Sequence, residues 1–523
     1  MARMVFALVG ALALSGCDLF DDDAPQTSTR GMPKRRPEFK LRRPTDVPLP
    51  KGVPFVGSKG DDTFGRPLRR PDAPALLALL RAEKFNALDA AFAEYQRGFE
   101  ADHRKESWPM LAADAMGIAD PELGPHLEAW VEASPKSVAA LTCRGKWHFA
   151  MAWHERGSGT SAETSEKQFA AFRGRSKSAL ADFDHALELD ENAIAVHRAK
   201  LDALRGLGKS LDVQKQAFER GVAVCDTCST FRAAWVLSHA PRWGGSKGAM
   251  LDAAKVGAEQ REANPALGLL PSYAEFDACR TARLAEGTKG SLEACERAVS
   301  RGVVPRISCY YGHQLVLNED YAAAEPHLEA GLRADPQERT CLIGRAWLHK
   351  HFERFEASAD DVLLARRLQP TNPNIDKLTT YTLERLRYDA REAGKAGDDA
   401  TDRRLRALAN AISPGAGDPR PTQGLSPTNL DDLRKQVEAN PRDFALHVKL
   451  DQALVPEKRF WEIVVMWNRF LEEQPDHAKA LLERAGARWH SGDHNGGIED
   501  AKRSCDLGLK KGCTVHGQMS RAK

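Results

Sequence analysis

Apolar residues recur at helical spacing through most of this chain. Phe85, Leu88, Phe92, Tyr95 and Phe99 lie three or four residues apart, which places them on one stripe of a helix that another element must cover. From about residue 73 onward, no convincing alternation of apolar and polar residues indicates a strand. The pattern therefore predicts an all-α fold after the first 72 residues.

The helical pattern also repeats along the chain. Pro336 and Pro370 lie 34 residues apart, as do Pro441 and Pro475, and each follows an amphipathic helix that ends in acidic or polar residues. A period of this length is typical of solenoids built from helix pairs, in which each pair buries its apolar face against the next.

The unit from Pro305 to Pro336 resembles a tetratricopeptide repeat. Gly312 and Ala324 stand where its two helices approach most closely, and Tyr321 opens the second helix. Other units place similar residues at equivalent positions: Ala179, Phe183, Ala186, Ala346, Phe355, Ala365, Phe460, Trp467, Phe470 and Ala485. The resemblance implies an all-α, tetratricopeptide-like helix-pair solenoid that binds other proteins or peptides.

In such a solenoid, the first helix of each pair lines a concave groove. The resemblance therefore implies eight basic or aromatic groove residues: Arg306, His313, Trp347, Lys350, His351, Lys479, Trp489 and His490. These groups would suit an acidic or carboxylate-ended peptide. The pattern departs from the carboxylate clamp of chaperone-binding repeats, because Cys309 and His313 stand where a lysine and an asparagine are expected. Trp347 and Trp489 have a second interpretation, as core residues between repeats.

Residues 75–275 resemble a bacterial family of unknown function whose members look like degenerate tetratricopeptide proteins. Four segments carry this resemblance: the helix from Leu88 to Gln96, Arg144-Gly145 with Trp147 and Trp153, the helix from Phe169 to Phe183, and Pro241-Arg242-Trp243-Gly244-Gly245-Ser246. The last of these has two interpretations. It is either a structural corner held by a buried Trp243, with Ser246 capping the next helix, or a loop that contacts a ligand.

The amino terminus has the parts of an export signal. Arg3 precedes an apolar run from Val5 to Leu14, which is too short to span a bilayer. Leu14-Ser15-Gly16-Cys17 resembles the lipobox of bacterial lipoproteins. The resemblance implies removal of residues 1–16, a diacylglyceryl thioether on Cys17, and a protein that is anchored to a membrane facing the periplasm or exterior. The alternative is an ordinary secretory signal with a chance cysteine.

Residues 17–72 are rich in Pro, Lys and Arg and poor in large apolar residues, which predicts a disordered tether. Seven basic residues between Arg30 and Arg43 would bind anionic lipid or another envelope polyanion, or simply keep the spacer solvated. The formal net charge of +2 gives no argument for nucleic acid.

The resemblances and one Pro- and Gly-rich stretch together divide the remainder of the chain into four expected segments. Residues 73–303 form a degenerate helical-repeat domain, and 304–412 contain tetratricopeptide-like repeats with a helical extension. The Pro- and Gly-rich segment 413–428 reads as a linker. We expect residues 429–523 to form a carboxy-terminal repeat array. It contains tetratricopeptide-like units and ends in Cys505-Asp-Leu-Gly-Leu-Lys-Lys-Gly-Cys513, which resembles Sel1-like repeats.

Nine cysteines follow Cys17, and exported thiols usually pair. The segment from Cys505 to Cys513 resembles Sel1-like repeats, which implies a disulfide bond from one helix end to the next helix start. Two further pairs fall at the same kind of junction, so we expect the bonds Cys225–Cys228, Cys295–Cys309 and Cys505–Cys513. A zinc site or redox pair at Cys225 and Cys228 would need a second ligand pair or a strand context, and neither is visible. Cys143, Cys279 and Cys341 are left, and at least one must stay a free thiol.

The sequence contains no recognisable catalytic, cofactor or metal-binding motif. We therefore expect a membrane-anchored extracytoplasmic scaffold or adaptor that binds envelope proteins or peptides. Two alternatives stay open: a module that binds cell-wall polymer or glycan, and an envelope hydrolase built on a helical superhelix.

Overall fold

The computed structural model describes residues 43–44, 47–161, 163–370, 372–417, 427–455 and 459–521. Cys17, with the signal predicted at 1–16, lies outside these residues. Within the described part, two short strands, β1 (Phe55–Val56) and β2 (Arg70–Pro71), precede a long series of helices. The α-helices are α1 (Ala73–Arg81), α2 (Phe85–Ala101), α3 (Ser107–Met116), α4 (Leu123–Ala133), α5 (Val138–Arg156), α6 (Glu166–Leu189), α7 (Ile194–Gly206), α8 (Leu211–Val224), α9 (Ser229–Ser238), α10 (Lys247–Ala258), α11 (Pro271–Val299), α12 (Pro305–Leu317), α13 (Tyr321–Ala334), α14 (Arg339–His351), α15 (Phe355–Leu368), α16 (Pro373–Lys395), α17 (Asp399–Ile412), α18 (Pro427–Ala439), α19 (Phe444–Leu454), α20 (Phe460–Glu473), α21 (Ala478–Ser491), α22 (His494–Asp506) and α23 (Lys510–Arg521).

Consecutive helices pack as pairs, and the pairs stack. In the middle of the chain, α12 packs on α13 and α14 on α15, while α12 and α13 both contact α14. Gly312 makes the first pair possible, because a Cβ there would lie 2.9 Å from the side chain of Leu328. The all-α helix-pair solenoid that the sequence predicts is therefore confirmed. None of the helices in the described part of the chain has the length and hydropathy needed to span a membrane.

The turn inside several pairs has the same left-handed residue. Glu83, Glu319, Glu353 and Gly208 have φ between 53° and 64°, and each follows the first helix of a pair. The next backbone N–H then returns to a carbonyl five residues earlier, as in the bond from Asp320 to the Leu315 carbonyl at 2.9 Å. This geometry closes the helix end and reverses the chain.

In three of the helix pairs, an arginine of the first helix forms the same set of hydrogen bonds to the neighbouring helices. Arg345 of α14 forms two hydrogen bonds with Asp361 of α15, at 3.0 and 2.7 Å, and a third with Glu329 of α13 at 3.1 Å. Equivalent clamps occur elsewhere: Arg144 with Asp182 and Glu128, and Arg484 with Asp500 and Asn468. Each clamp ties a first helix to the second helices on both sides, and so fixes the stacking of successive pairs.

The segment before α1 is ordered. β1 pairs with β2 in antiparallel register, with Phe55 opposite Pro71. Arg70 is 5% exposed and donates to Ser107 and to the Ala334 carbonyl, while Arg66 donates to the Val303 carbonyl at 2.6 Å. The predicted disordered tether of 17–72 is therefore wrong for residues 47–72. Composition could not predict this order, because the Arg66–Val303 and Arg70–Ala334 contacts join residues more than 200 positions apart. Residues 17–42 lie outside the described part.

The same segment links the beginning of the helical array to its middle. Ala73 donates to Gln337 at 2.9 Å, and Gln337 donates back to Asp72 at 2.9 Å. Helix α1 also contacts α15. The strap of residues 47–72 therefore connects helices that are distant in sequence into one compact unit.

The chain divides into two compact units, Met1–Asp418 and Pro419–Lys523. The boundary falls within residues 413–428, of which 418–426 are outside the described part. The second unit contains α18 to α23. Its core is built around Trp467 and Phe470, both fully buried, with Leu450, Leu454 and Ile463 packed beside them.

Within the described part of the chain, four disulfide bonds are present: Cys225–Cys228, Cys279–Cys295, Cys309–Cys341 and Cys505–Cys513. The expected Cys295–Cys309 bond is wrong. Helix α11 reverses at Gly287, where φ is 77°, so Cys279 and Cys295 in its two halves meet. Cys309 and Cys341 lie on the first helices of adjacent pairs and bond across them. Of the cysteines that the structure describes, Cys143 is the free thiol, and it is buried.

Candidate pocket in the first unit

A pocket of about 730 Å³ opens between α2, α3 and the first turns of α5 and α7. Its lining is mainly apolar, with polar groups at the edge. The lining residues are Asp89, Phe92, Ala93, Gln96, Arg97, Glu100, Pro109, Ala113, Ser134, Pro135, Lys136, Ser137, Val138, Ala139, Thr142, Asp190, Ala193, Ala195 and Val196. This size and composition are typical of ligand-binding pockets.

Asp89 fixes one end of the pocket. Its carboxylate accepts hydrogen bonds from the indole of Trp130 at 3.1 Å, from Ser134 at 2.9 Å and from Ser137 at 2.6 Å. Ser137 also caps α5 by accepting from Ala140 at 3.0 Å. Asp89 therefore holds the α4–α5 turn against α2.

The other motif residues of α2 have defined structural roles. Leu88 and Tyr95 are fully buried, and the Tyr95 hydroxyl donates to the Pro54 carbonyl in the strap. Gln96 donates to Glu100 at 3.0 Å and to the Asn192 carbonyl at 3.2 Å, which ties α2 to the turn before α7. The Leu88–Gln96 pattern thus specifies the pocket wall.

The pocket is elongated along α2. Its lining on this helix runs from Asp89 to Glu100, about 17 Å at 1.5 Å per residue. An extended chain of about five residues has this length. Arg97 and Lys136 supply positive charge at the edge, while Asp89, Glu100 and Asp190 supply negative charge. The arrangement fits a short peptide. An apolar side chain of the peptide would contact the buried apolar lining, and its polar groups would contact the charged residues at the pocket edge.

The predicted groove residues of the first unit have different environments. His313 is 3% exposed within the core, and burial lowers its pKa to about 4, so its assignment to a groove is wrong. The spacing placed it on the first helix, but it faces the neighbouring pair, beside Gly344. His351 stacks on Tyr321 with centroids 3.6 Å apart, and Arg306 is half-buried.

Trp347 and Lys350 come together on α14. The Lys350 ammonium lies 4.4 Å from the Trp347 ring centroid and 4.2 Å from that of Tyr381 on α16. Burial lowers the pKa of Lys350. Trp347 also packs against the core, in keeping with its second interpretation.

In the second unit, Lys479 is exposed on α21, and Trp489 stacks on His494 with centroids 4.4 Å apart. His490 stacks on Phe460 at 4.9 Å. Ligand binding by these three residues stays a prediction.

The Pro241–Ser246 motif forms a corner between α9 and α10. Gly244 has φ of 88°, and a Cβ on Gly245 would lie 2.0 Å from the His239 carbonyl oxygen. Ser246 caps α10 by accepting from Ala249 at 3.0 Å. Trp243 packs between two core clusters. The side chain of Arg242 extends from the corner to α11, where it forms an ion pair with Asp277.

A metal site finds little support in the described residues. There, the one grouping of three suitable side chains is Cys309, Glu338 and Cys341. The two sulfurs are bonded to each other, so they do not offer thiolate ligands.

One segment of the chain is similar to a known family. Residues 73–208 match the family described as a domain of unknown function, DUF4034. The match begins with α1 and ends after α7, so it contains every residue that lines the pocket. No curated protein sequence matches the chain.

Three solved structures are similar to the chain. The tetratricopeptide domain of P58(IPK) has 14% identity over 68% of this chain and 95% of its own, with a TM-score of 0.23. The APC/C hetero-tetramer Cut9–Hcn1 has 10% identity over 85% and 95%, with a TM-score of 0.23. The human IFIT1 dimer with PPP-AAAA has 12% identity over 83% and 86%, with a TM-score of 0.22. The fold assignment rests on the helix pairs described above.

Sequence reasoning missed the pocket as a binding site. It selected basic and aromatic residues on the first helices of later pairs, whereas the pocket lies among Ala93, Pro109, Ala113 and Val138. These small apolar residues are common in any helix. The Leu88–Gln96 motif was the one sequence signal for the pocket, because its polar residues Asp89 and Gln96 both line it.

Proposed function

We propose that this protein is an extracytoplasmic adaptor, anchored to a bacterial membrane through a lipid on Cys17, that binds a peptide segment of another envelope protein. The observation that carries the proposal is the elongated, mainly apolar pocket inside the DUF4034 segment. The Asp89 network and the strap hold its walls in place, so the pocket is formed before a ligand arrives.

The cysteine pairing supports an extracytoplasmic location. Eight cysteines form four bonds, and such bonds persist in oxidising compartments. The apolar run from Val5 to Leu14 would supply the export signal, and Cys17 would supply the acceptor thiol. Mass spectrometry of the native polypeptide tests the anchor. We expect loss of residues 1–16 and fatty acids on residue 17; an unmodified amino terminus at Met1 would contradict it.

A peptide fits the pocket better than a polymer of sugars. Its floor contains Phe92, Pro109, Ala113 and Val196, which offer few hydrogen bonds to hydroxyl groups. The carboxylate of Asp89 is already engaged by three donors and so serves to hold the wall. An apolar peptide side chain would gain the free energy of leaving water at this floor.

Filling the pocket tests the proposal. Ala93 is exposed on α2 and borders the pocket, so Ala93→Trp occupies it without entering the core. Ala87 is exposed on the same helix but outside the lining, which makes Ala87→Trp the matched control. We expect envelope proteins that co-purify with the wild type from detergent-solubilised membranes to co-purify with Ala87→Trp and not with Ala93→Trp. Equal recovery with both variants would contradict binding in the pocket.

A further inference from the structure

The guanidinium group of Arg280 is buried in the first unit with no acidic partner among the described residues. Arg280 lies on the first half of α11 and is 7% exposed. The ring of Phe276 lies beside it, with its centroid 5.9 Å from the guanidinium carbon. No described side chain or carbonyl accepts a hydrogen bond from it. Its N–H donors are therefore available to another group that enters the small part of its surface still open.

Arg242 brings a second guanidinium group to the same place. It pairs with Asp277, which precedes Arg280 by one helical turn on α11. The Nε of Arg242 is buried, and no described residue accepts its hydrogen bond. Two neighbouring arginines therefore present unused donors in the interior of the unit.

The surroundings add positive charge. Arg205 and Arg306 both repel the guanidinium group of Arg242, and Arg306 also repels that of Arg280. Arg205 is partnered by Asp202 at 2.6 Å, and Glu338 attracts Arg306. Burial and the charge of Arg306 together lower the pKa of Arg280 to about 9. Of the four arginines, Arg280 is therefore the one whose positive charge is not neutralised by a carboxylate of the described residues.

We propose that Arg242 and Arg280 bind a phosphate group, either as free orthophosphate or as a phosphomonoester. A tetrahedral oxyanion has several oxygens and accepts from two guanidinium groups at once, and its second negative charge offsets the surplus positive charge. The corner formed by Trp243, Gly244 and Gly245 holds Arg242 in position for this contact. In the Pro241–Ser246 motif, the two glycines would thus form the corner, and Arg242 would bind the ligand.

This phosphate site shares no residue with the pocket lining. The phosphate proposal is therefore independent of the proposed adaptor function, and the failure of one does not affect the other. A phosphate group here would link α7, the Pro241–Ser246 corner, α11 and α12. Occupation would consequently stabilise the middle of the first unit.

Calorimetric titration of the full-length protein tests the proposal with two ligands, orthophosphate and glycerol 3-phosphate, at constant ionic strength set with chloride. We expect saturable binding of at least one, and the tighter ligand identifies the source of the phosphate group. Arg280→Met should raise Kd at least tenfold. Arg297→Met, on the exposed face of the same helix, should change Kd less than twofold.

Thermal unfolding provides a readout that a structural arginine would not give. We expect orthophosphate or glycerol 3-phosphate to raise the melting temperature of the wild type above the chloride reference, and Arg280→Met to lose this increment. Absence of saturable binding to the wild type would overturn the proposal whether or not the variants fold. Unchanged affinity in a folded Arg280→Met protein would overturn it as well.

Discussion

Arg345 of α14 and Asp361 of α15 form a two-bond ion pair that recurs in equivalent form in two other helix pairs. Asp361 is 5% exposed on its side chain, so removing its charge leaves Arg345 half-satisfied. We expect Asp361→Ala to lower the free energy of unfolding of the first unit by about 2–4 kcal/mol.

Urea unfolding followed by circular dichroism checks this value. The matched control is Glu356→Ala, which breaks the exposed cross-helix pair between Glu356 and Arg404 and should cost at most about 0.5 kcal/mol. Equal effects of the two substitutions would show that the clamp has no special role in stacking.

The left-handed turns give a prediction of opposite sign. Glu319 and Glu353 adopt φ of 63° and 56°, where a side chain costs about 1–2 kcal/mol and glycine does not. After the greater flexibility of glycine in the unfolded chain is included, Glu319→Gly should stabilise the first unit by about 0.5–1 kcal/mol.

Gly208 occupies the same kind of turn with φ of 64°, so Gly208→Ala should destabilise by about 1 kcal/mol. Melting temperatures of the two variants should therefore move in opposite directions. A fall in both would contradict the proposed equivalence of these turns.

We expect the disulfide bond between Cys309 and Cys341 to stabilise the first unit. The bond closes a much longer loop than Cys225–Cys228, with sequence separations of 32 and 3. Loop-closure entropy predicts a loss of about 4 kcal/mol for the double substitution Cys309→Ser and Cys341→Ser, and about 2 kcal/mol for the short loop. Peptide mapping without reduction checks the pairing itself; a fragment joining Cys295 to Cys309 would contradict it.

Asp451 makes the second unit sensitive to pH. It accepts a hydrogen bond from the Trp467 indole at 2.6 Å, and burial raises its pKa to about 6. Because the folded pKa lies above the ordinary value near 4, the folded state retains a proton that the unfolded chain releases. The resulting stabilisation is complete below pH 4 and is lost as the pH rises through 6.

We therefore expect the second unit of the full-length protein to unfold at higher urea concentration at pH 5 than at pH 7.5, measured by tryptophan fluorescence. Asp451→Asn should remove most of this difference, whereas substitution of the exposed Asp506 by Asn should preserve it. An unchanged pH dependence in Asp451→Asn would rule out this carboxyl as the cause.

The helix pairs were predictable because their requirements are local. Small residues such as Gly312 indicate where two helices cross, and the regular spacing of the prolines indicates where the chain reverses. The strap was not predictable, since Arg66 and Arg70 are ordered by carbonyl groups more than 200 residues away. Cys295 was assigned to Cys309 because both fall at an expected helix-pair junction, and the reversal at Gly287 brings Cys279 to Cys295 instead. The pocket is lined by residues whose types are too common to mark a site.

Site-specific photo-crosslinking in living cells tests the central claim most directly. A photoreactive amino acid at position 93 faces the pocket, and one at position 87 is exposed outside its lining. The adaptor account predicts that position 93 forms a covalent adduct with an envelope protein through one defined peptide segment, and that position 87 does not. No adduct at position 93, or the same adducts at both positions, would contradict the account.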